Sequence, residues 1–449
     1  MTNKFLKWGP VTVIFAVTLI FSLIYYYRAP FHDHWDIVPY FAKLQDGTLR
    51  FSDLFALHGN HWHASGYLLQ LALAELTGMG HWAESLASVL VAGLGFVALA
   101  RLLDRSLLLF DAGRMTPYVF GIAAFFLFSL DQAANWLWGW QVAVFINIAG
   151  ALWAVERLSA GPPTLLNTAY AAIAAACSIY AFGTGWALIP IGFGLMVIYG
   201  AVKSRQGLAC LALWAVFTAL LLWHFSLALT DSSAAYAVES TPSLTDPTAI
   251  VGLVHYAINF VASPVVRFAR DSSVVSFFIG CGLLSWSLWT LRAVAKDKLL
   301  KGTAPFLALA AYSFGAGLLT AFGRWEVFGV KQAFVSRYIS FGTFFWIAVF
   351  TLTLIAIARS SHASRKVAIG IVGLLFVLKI GNIPSVVQKT VGLSNDIKVA
   401  AEQLADNYPE TPPEQYAILH QAEQVIDPRL AVLHAHQVSL FSEADEIED

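Results

Sequence analysis

Residues 9–36 read GPVTVIFAVTLIFSLIYYYRAPFHDHWD. The first two thirds of this stretch form an apolar run as long as the roughly 20 residues that a membrane-spanning helix needs. Three tyrosines and an arginine follow directly, a pattern typical of the membrane–water interface. A cleaved signal peptide would instead have small residues at this point. The stretch therefore predicts a retained spanning helix that ends in a cluster of acids and histidines.

The composition of the whole chain supports a membrane protein. Of its 449 residues, 58% are hydrophobic and 12% are charged, and the mean hydropathy is +0.66. A soluble domain carries about 25% charged residues, so a soluble enzyme and a secreted disulfide scaffold are both excluded. The net charge of −1 gives no field that would attract nucleic acid. Three cysteines lie inside apolar runs, which predicts buried small hydrophobes: Cys177, Cys210 and Cys281.

Hydropathy predicts an all-α polytopic membrane protein with about eleven transmembrane helices. The predicted spans are residues 9–27, 85–103, 117–131, 138–155, 165–182, 184–202, 208–229, 274–292, 303–322, 338–358 and 366–387.

The distribution of charge predicts the orientation. With the N-terminus in the cytoplasm, the cytoplasmic segments hold 15 Lys and Arg but 4 Asp and Glu, whereas the rest of the chain holds 12 and 24. The positive-inside rule favours this arrangement. Eleven spans then place the C-terminus in the periplasm.

Four sizeable segments lie on the outer side in this arrangement: residues 29–84, 230–273, 323–337 and 388–449. We expect a transmembrane domain, 1–387, that includes the first outer loop, followed by a small C-terminal periplasmic segment, 388–449. Periodicity predicts short amphipathic helices along the membrane surface at Asp36 to Leu44, at Tyr67 to Leu76 and over 247–268.

Asp33 and Asp36 are the candidate catalytic residues. They lie three residues apart, so in a helical turn they share one face. Desolvation beside an apolar surface raises the pKa of a carboxyl group, which can then deprotonate a hydroxyl as a general base. The alternative is a solvated polar turn that ends the helix.

A second cluster, residues 58–63, reads HGNHWH. We expect its three histidines, His58, His61 and His63, to orient the hydroxyl groups of a substrate and the carboxylates of Asp33 and Asp36. His58 and His61 would lie on one helical face. The sequence requires no cofactor. A divalent metal is a possible alternative, since histidine and carboxylate are common ligands, and so is purely structural packing.

The outer loop between spans nine and ten contains several cations, although the outer segments are otherwise rich in acidic residues. These cations are candidates for binding the phosphate of a lipid: Arg337, Lys331 and Arg324, with Arg267 and Arg270 as further members. An arginine fork can hold two phosphate oxygens. Anchoring to lipid headgroups and pairing with Glu326 are the alternatives.

Residues 135–141, NWLWGWQ, join spans three and four. Their tryptophans indicate either interfacial anchors or a platform for a sugar. The amide side chains of Asn135 and Gln141 suit contacts with a carbohydrate. Lys379 is the main charge within the spans, and we expect it to reach the interface from near a helix end.

Together these motifs resemble the GT-C superfamily of integral-membrane glycosyltransferases, especially bacterial members that modify cell-surface glycans. DHWD at 33–36 is similar to an Asp-Asp-Trp-Asp motif after the first span, and HGNH at 58–61 is similar to His-Asn-Glu-His. NWLWGWQ and the SRY of 336–338 also match recurring outer-loop segments. His34 and Gly59-Asn60 depart from the pattern and leave it with fewer carboxylates.

The resemblance implies an inverting transfer of sugar from a polyprenyl-phosphate donor to a glycan or protein acceptor. The acceptor glycan would be of the O-antigen or lipopolysaccharide type, on the outer face of the bacterial inner membrane. An acid of the first loop would activate the acceptor, and a later cation would hold the phosphate. The alternatives are an O-antigen ligase or polymerase and a non-enzymatic transporter or flippase of lipid-linked sugar.

Overall fold

A computed structural model describes residues 4–231, 242–295, 300–359, 362–420 and 422–442. Within them the chain is helical apart from turns and one two-stranded hairpin, β1 (Leu57–His58) and β2 (His61–Trp62). The α-helices are α1 (Lys4–Tyr25), α2 (Val38–Gln45), α3 (Ala64–Thr77), α4 (His81–Leu109), α5 (Thr116–Leu127), α6 (Ala133–Leu137), α7 (Val142–Leu158), α8 (Leu165–Ala181), α9 (Leu188–Ile198), α10 (Arg205–Asp231), α11 (Pro247–Val266), α12 (Ser273–Ala295), α13 (Leu300–Phe328), α14 (Ser336–Arg359), α15 (His362–Asn407), α16 (Pro413–Tyr416) and α17 (Glu423–His436).

The prediction of an all-α polytopic membrane protein is confirmed. Each of the eleven predicted spans overlaps a helix. In the described part of the chain, nine helical segments are long and apolar enough to cross a membrane, and three more are apolar but shorter. The number of crossings therefore stays a prediction. The short helices expected in the first outer loop are also present, as α2 and α3.

Helix α11 differs from the surface helix that we expected over 247–268. It is buried among its neighbours: Phe260 stacks near Tyr338, with ring centroids 5.5 Å apart, and Trp346 donates a hydrogen bond of 2.8 Å to the Val261 carbonyl. Its second half is buried on all sides, from Tyr256 to Val266, so it presents no face to water.

The basic segments gather at one end of the bundle. Lys7 in α1 pairs with Asp104 in α4 at 2.6 Å, and Arg114 donates a hydrogen bond to the carbonyl of Ala358 at the end of α14. The Tyr199 hydroxyl, just after α9, donates to the Lys301 carbonyl at 2.5 Å. We call this the basic end, and the end that carries Asp33 the acidic end. The side of the membrane that each end faces stays a prediction.

Lys379 does not extend to the interface, as we expected, but forms a buried ion pair with Asp131. Both side chains are almost fully buried, at 0% and 1% exposure. The Lys379 ammonium is directed at Asp131, in the turn between α5 and α6, and not at solvent. The ammonium also lies 4.9 Å from the ring centroid of Phe126. The bundle therefore contains a paired charge.

The C-terminal segment folds back over the first outer loop. Helix α15 runs without a break through 387/388, where we expected a boundary, and ends at Asn407. The His32 amide then donates a hydrogen bond of 2.8 Å to the Leu419 carbonyl, and the Ser439 amide donates one of 2.9 Å to the Gly78 carbonyl. The division into 1–387 and 388–449 stays a prediction. The last residues of the chain, 443–449, lie outside the described residues.

We predict that Lys379→Met destabilises the bundle by about 3–5 kcal/mol, because it leaves the Asp131 carboxylate buried without its partner. The double variant Lys379→Met/Asp131→Asn should recover most of the loss. Thermal unfolding of the purified protein in detergent measures both. Equal melting temperatures for the wild type and the single variant would contradict the prediction.

Candidate functional site

The two candidate catalytic acids lie on a short 3-10 helix, His32–Ile37, which follows α1 and which we call the 3-10 turn. With three residues per turn, positions i and i+3 of such a helix eclipse each other, so Asp33 and Asp36 point to the same side, as predicted. Their surroundings nevertheless differ, and this difference separates their chemical roles.

Asp33 faces the start of α14. Its Oδ2 lies 3.6 Å from Nη1 of Arg337, and the two side chains are 39% and 32% exposed. The Arg337 guanidinium also lies over the ring of Trp138, 5.8 Å from the centroid. A separation of 3.6 Å exceeds a good hydrogen bond, so the carboxylate keeps lone pairs for another partner. A candidate base and a candidate phosphate-binding cation thus meet at the acidic end.

Asp36 is held at both carboxylate oxygens. Oδ2 lies 3.3 Å from Nδ1 of His58, and Oδ1 lies 2.9 Å from Nη1 of Arg429 in helix α17. Burial alone would raise the pKa of Asp36, but the hydrogen bonds and charges of His58 and Arg429 outweigh it and hold the pKa below its ordinary value. This is opposite to the shift that a general base needs.

The histidine cluster forms a hairpin and not the helical turn that we predicted. His58 pairs with His61 across β1 and β2, and Gly59 takes the left-handed conformation, with φ +61°. Gly-Asn at the two central positions of a tight turn is a hairpin signal. The rings of His58 and His61 still lie close, with centroids 5.9 Å apart.

Two of these histidines are neutral. Burial, together with the proximity of His58, Arg324 and Arg337, lowers the pKa of His61 to about 3. Burial also lowers the pKa of His63 well below its ordinary value. The His63 ring stacks flat on Trp140, with centroids 3.9 Å apart and planes at 8°. Neither ring can supply a positive charge at neutral pH.

The tryptophans of residues 135–141 are buried, which fits neither of the two roles we proposed for them. Trp136 and Trp140 are 0% and 4% exposed, so they anchor nothing at the membrane surface and offer no open face to a sugar. They pack inside the protein instead. Trp136 of α6 stacks on Phe145 of α7, with ring centroids 4.2 Å apart.

The amides of the same segment are buried as well. The Asn135 amide nitrogen donates to the Ser340 hydroxyl at 2.7 Å and to the Ser336 carbonyl at 3.1 Å. These bonds fix the first turn of α14, which carries Arg337. Gln141 is 2% exposed at the start of α7. Contacts of either residue with a substrate stay predictions.

The other candidate cations have other partners, although Arg324 also lies near enough to His61 to lower its pKa. Arg267 donates a hydrogen bond of 3.0 Å to the Asp131 carbonyl, and Arg270 lies 3.6 Å from the Asp271 carboxylate. Arg324 lies over the ring of Phe328, 5.6 Å from its centroid, and Lys331 is exposed. In the described part of the chain, the arginines in contact with the candidate acids are Arg337 and Arg429.

A buried cluster that we did not predict lies behind the 3-10 turn. His34 Nε2 and His81 Nδ1 lie 3.0 and 3.1 Å from the two carboxylate oxygens of Glu84, and His81 Nε2 lies 2.8 Å from the Ser439 hydroxyl. Their ligand atoms lie within 4.8 Å of one another, so the three residues could hold a metal ion. Since these hydrogen bonds already engage the ligand atoms, the cluster also serves as a clamp between α4 and the C-terminal segment.

Sequence reasoning missed two residues of this region. Glu84 lies in the first turn of α4, where the helix dipole stabilises a negative charge. It also follows His81 by three residues. That spacing was a usable signal. Arg429 lies almost 400 residues after Asp36, and nothing local marks it.

No protein-family model and no curated protein sequence matches the chain. Among solved structures, the chain is similar to ArnT from Cupriavidus metallidurans bound to undecaprenyl phosphate, with 15% identity and a TM-score of 0.46. It is also similar to the apo state of the same protein, with 14% identity and a TM-score of 0.43. Both alignments cover 96% of this chain and 78% of ArnT.

We predict that Arg429→Gln loosens the C-terminal segment, because glutamine is uncharged and too short to reach Asp36, so the ion pair is lost while the side chain stays polar. An ion pair at this level of exposure contributes about 1 kcal/mol, which corresponds to roughly five-fold faster hydrogen exchange in α17. Lys398→Gln is the matched control, since Lys398 pairs with Glu402 on the exposed face of α15. Unchanged exchange in Arg429→Gln would show that the ion pair does not hold the segment.

Proposed function

We propose that the protein is an inverting membrane glycosyltransferase. It moves a sugar from a polyprenyl-phosphate donor to a glycan of the O-antigen or lipopolysaccharide type, or to a protein. The observation that carries the proposal is the 3.6 Å approach of the Asp33 carboxylate to the Arg337 guanidinium. A base for an acceptor hydroxyl and a cation for a departing phosphate are the two groups that such a transfer requires.

Asp33 is the proposed general base. Its carboxylate is partly exposed, and its contact with Arg337 is long enough to leave lone pairs for the acceptor hydroxyl. It accepts the proton while the hydroxyl oxygen attacks the anomeric carbon of the donor sugar. The glycosidic bond to the polyprenyl phosphate breaks as the new bond forms, so the configuration inverts.

Arg337 is the proposed partner of the leaving phosphate. Its guanidinium can hold two phosphate oxygens and offset the charge that develops on them. The hydrogen bonds of Asn135 to Ser336 and Ser340 support this role, because they fix the helix turn on which Arg337 lies. Lys331 and Arg324 are secondary candidates for the same phosphate.

Asp36 is the proposed positioning residue of the site. With both oxygens engaged by His58 and Arg429 and a lowered pKa, it holds the hairpin and the C-terminal segment against the 3-10 turn. We therefore propose that His58 helps to position the site indirectly, through its contact with Asp36. His61, His63 and Gln141 remain proposed contacts for substrate hydroxyls.

The acidic end is proposed to face the periplasm, with the protein in the bacterial inner membrane. The bias of positive charge toward the basic end supports this orientation. The N-terminus would then be cytoplasmic and the C-terminal segment periplasmic, beside the lipid-linked donor and the acceptor.

The buried pair of Lys379 and Asp131 bears on the alternative of a transporter. Paired charges within a membrane bundle often mark ion pathways. At 0% and 1% exposure, however, these side chains have no contact with water in this structure. A transporter would need Lys379→Met to abolish transport of lipid-linked sugar across vesicle membranes in a protein that still folds.

We predict that Asp33→Asn lowers glycan transfer by about 10²–10⁴-fold, because asparagine keeps the shape but cannot accept the proton. Asp36→Asn should cost less and should also loosen the C-terminal segment. Mass spectrometry of surface glycans from cells that express each variant measures transfer. Asp271→Asn, an acid that is 90% exposed, is the matched control. Near-normal transfer in Asp33→Asn would exclude Asp33 as the base.

We predict that Arg337→Lys weakens binding of polyprenyl phosphate, because lysine keeps the charge but loses the fork. Arg337→Ala should weaken it further. Binding of polyprenyl phosphate and of neutral polyprenol to purified variants in nanodiscs separates the headgroup contribution from the chain contribution. Lys398→Ala is the control, since Lys398 pairs with Glu402 on the exposed face of α15. Wild-type affinity for polyprenyl phosphate in folded Arg337→Ala would move the assignment to Lys331 or Arg324.

A further inference from the structure

A groove on the membrane-embedded surface lies between α4, α7 and α8. Its volume is about 490 Å³, within the range of small-molecule sites. Small residues of α7 and α8 line it, among them Ala149, Gly150 and Ala174, together with larger apolar residues. The two helices pack so closely that a Cβ at Gly150 would lie 2.5 Å from the Ala174 carbonyl oxygen. The groove beside this contact is lined mainly by apolar side chains, which suit an apolar chain.

The basic end of this groove carries an excess of positive charge. Glu156 in α7 is fully buried, with 0% exposure of its side chain. Three guanidinium groups surround it: Arg101 at 2.9 Å, Arg105 at 3.2 Å and Arg157 at 3.1 Å. One carboxylate cannot neutralise three guanidinium groups. Arg101 and Arg157 remain 52% and 26% exposed, with donors available to a further anion.

Two aromatic rings hold these arginines at the mouth of the groove. Trp153 lies between them, 5.9 Å from the Arg101 guanidinium and 5.4 Å from that of Arg157. The ring of Tyr170 lies 5.8 Å from Arg157 on the side of α8. Both rings and Arg157 line the groove itself. Tryptophan and tyrosine beside arginine are typical of the depth of lipid headgroups.

This mouth lies far from the proposed catalytic acid. Arg157 is 16 residues after Gln141 along α7, which is about 24 Å. A lipid whose headgroup binds at Arg157 therefore belongs to the other leaflet from one that reacts beside Asp33. The groove is not the binding site of the sugar donor.

We propose that this groove binds an anionic phospholipid of the leaflet at the basic end. Its phosphate would lie between Arg157 and Arg101, and one acyl chain would lie along the small residues of α7 and α8. Basic pockets between spanning helices on the cytoplasmic side bind acidic lipid headgroups in this way. A neutral, zwitterionic phospholipid would compete poorly, because it brings no net charge to offset the excess of two cations over Glu156.

Native mass spectrometry of the full chain, titrated with dioleoylphosphatidylglycerol or dioleoylphosphatidylcholine, tests the proposal. We expect one phosphatidylglycerol bound at least ten-fold more tightly than phosphatidylcholine. The double variant Arg101→Ala/Arg157→Ala should abolish this preference, while Arg105 still pairs with Glu156. Lys203→Ala is the control, because it removes an exposed cation from the same end outside the groove.

Ala174→Leu provides the second variant, since it fills the groove and leaves every arginine in place. It should weaken binding of phosphatidylglycerol by about ten-fold or more, even if the double variant fails to fold. Equal binding of the two lipids to the wild type would overturn the proposal. Binding of phosphatidylglycerol that survives either the double variant or Ala174→Leu would overturn it as well.

Discussion

The chain leaves α1 as an irregular backbone at the edge of a membrane, and its polar groups must still find hydrogen bonds there. Three distant segments supply them. The Tyr27 amide donates to the Leu137 carbonyl at 3.0 Å, the Ser394 hydroxyl donates to the Tyr25 carbonyl at 2.7 Å, and the His32 amide donates to the Leu419 carbonyl. These bonds tie the turn that carries the candidate acids to α6, to α15 and to the C-terminal segment. The site thus depends on the whole length of the chain.

The structural features that follow from local apolarity could be predicted well from the sequence. The positions of the spans, the short helices of the first outer loop and the helical turn that aligns Asp33 with Asp36 all follow from hydropathy and periodicity. The approach of Arg337 to Asp33 was also predictable, because both residues adjoin spans at the same predicted end. The buried helix α11 was not, since its apolar run interrupted by Pro264 is compatible with both a surface helix and a packed one.

Two other contacts between distant residues of opposite charge could not be predicted from the sequence. Lys379 and Asp131 lie 248 positions apart, and each alone looks like a charge near a helix end. Arg429 belongs to a segment whose helices are short and weakly amphipathic, so its docking on Asp36 has no periodic signal. The hairpin at Gly59-Asn60 is different, because its turn residues are visible in the sequence and their turn chemistry outweighs the helical spacing of the histidines.

The separation of the two aspartates also bears on the order of events in the proposed reaction. Arg337 is near Asp33 in this structure, but it is also the proposed partner of the donor phosphate. One guanidinium cannot favour both anions fully, and a phosphate offers the stronger bidentate contact. Donor binding would therefore draw Arg337 away and leave the Asp33 carboxylate for the acceptor hydroxyl. Asp36 cannot be freed in this way, since its partners come from the hairpin and the C-terminal segment, which the donor does not displace.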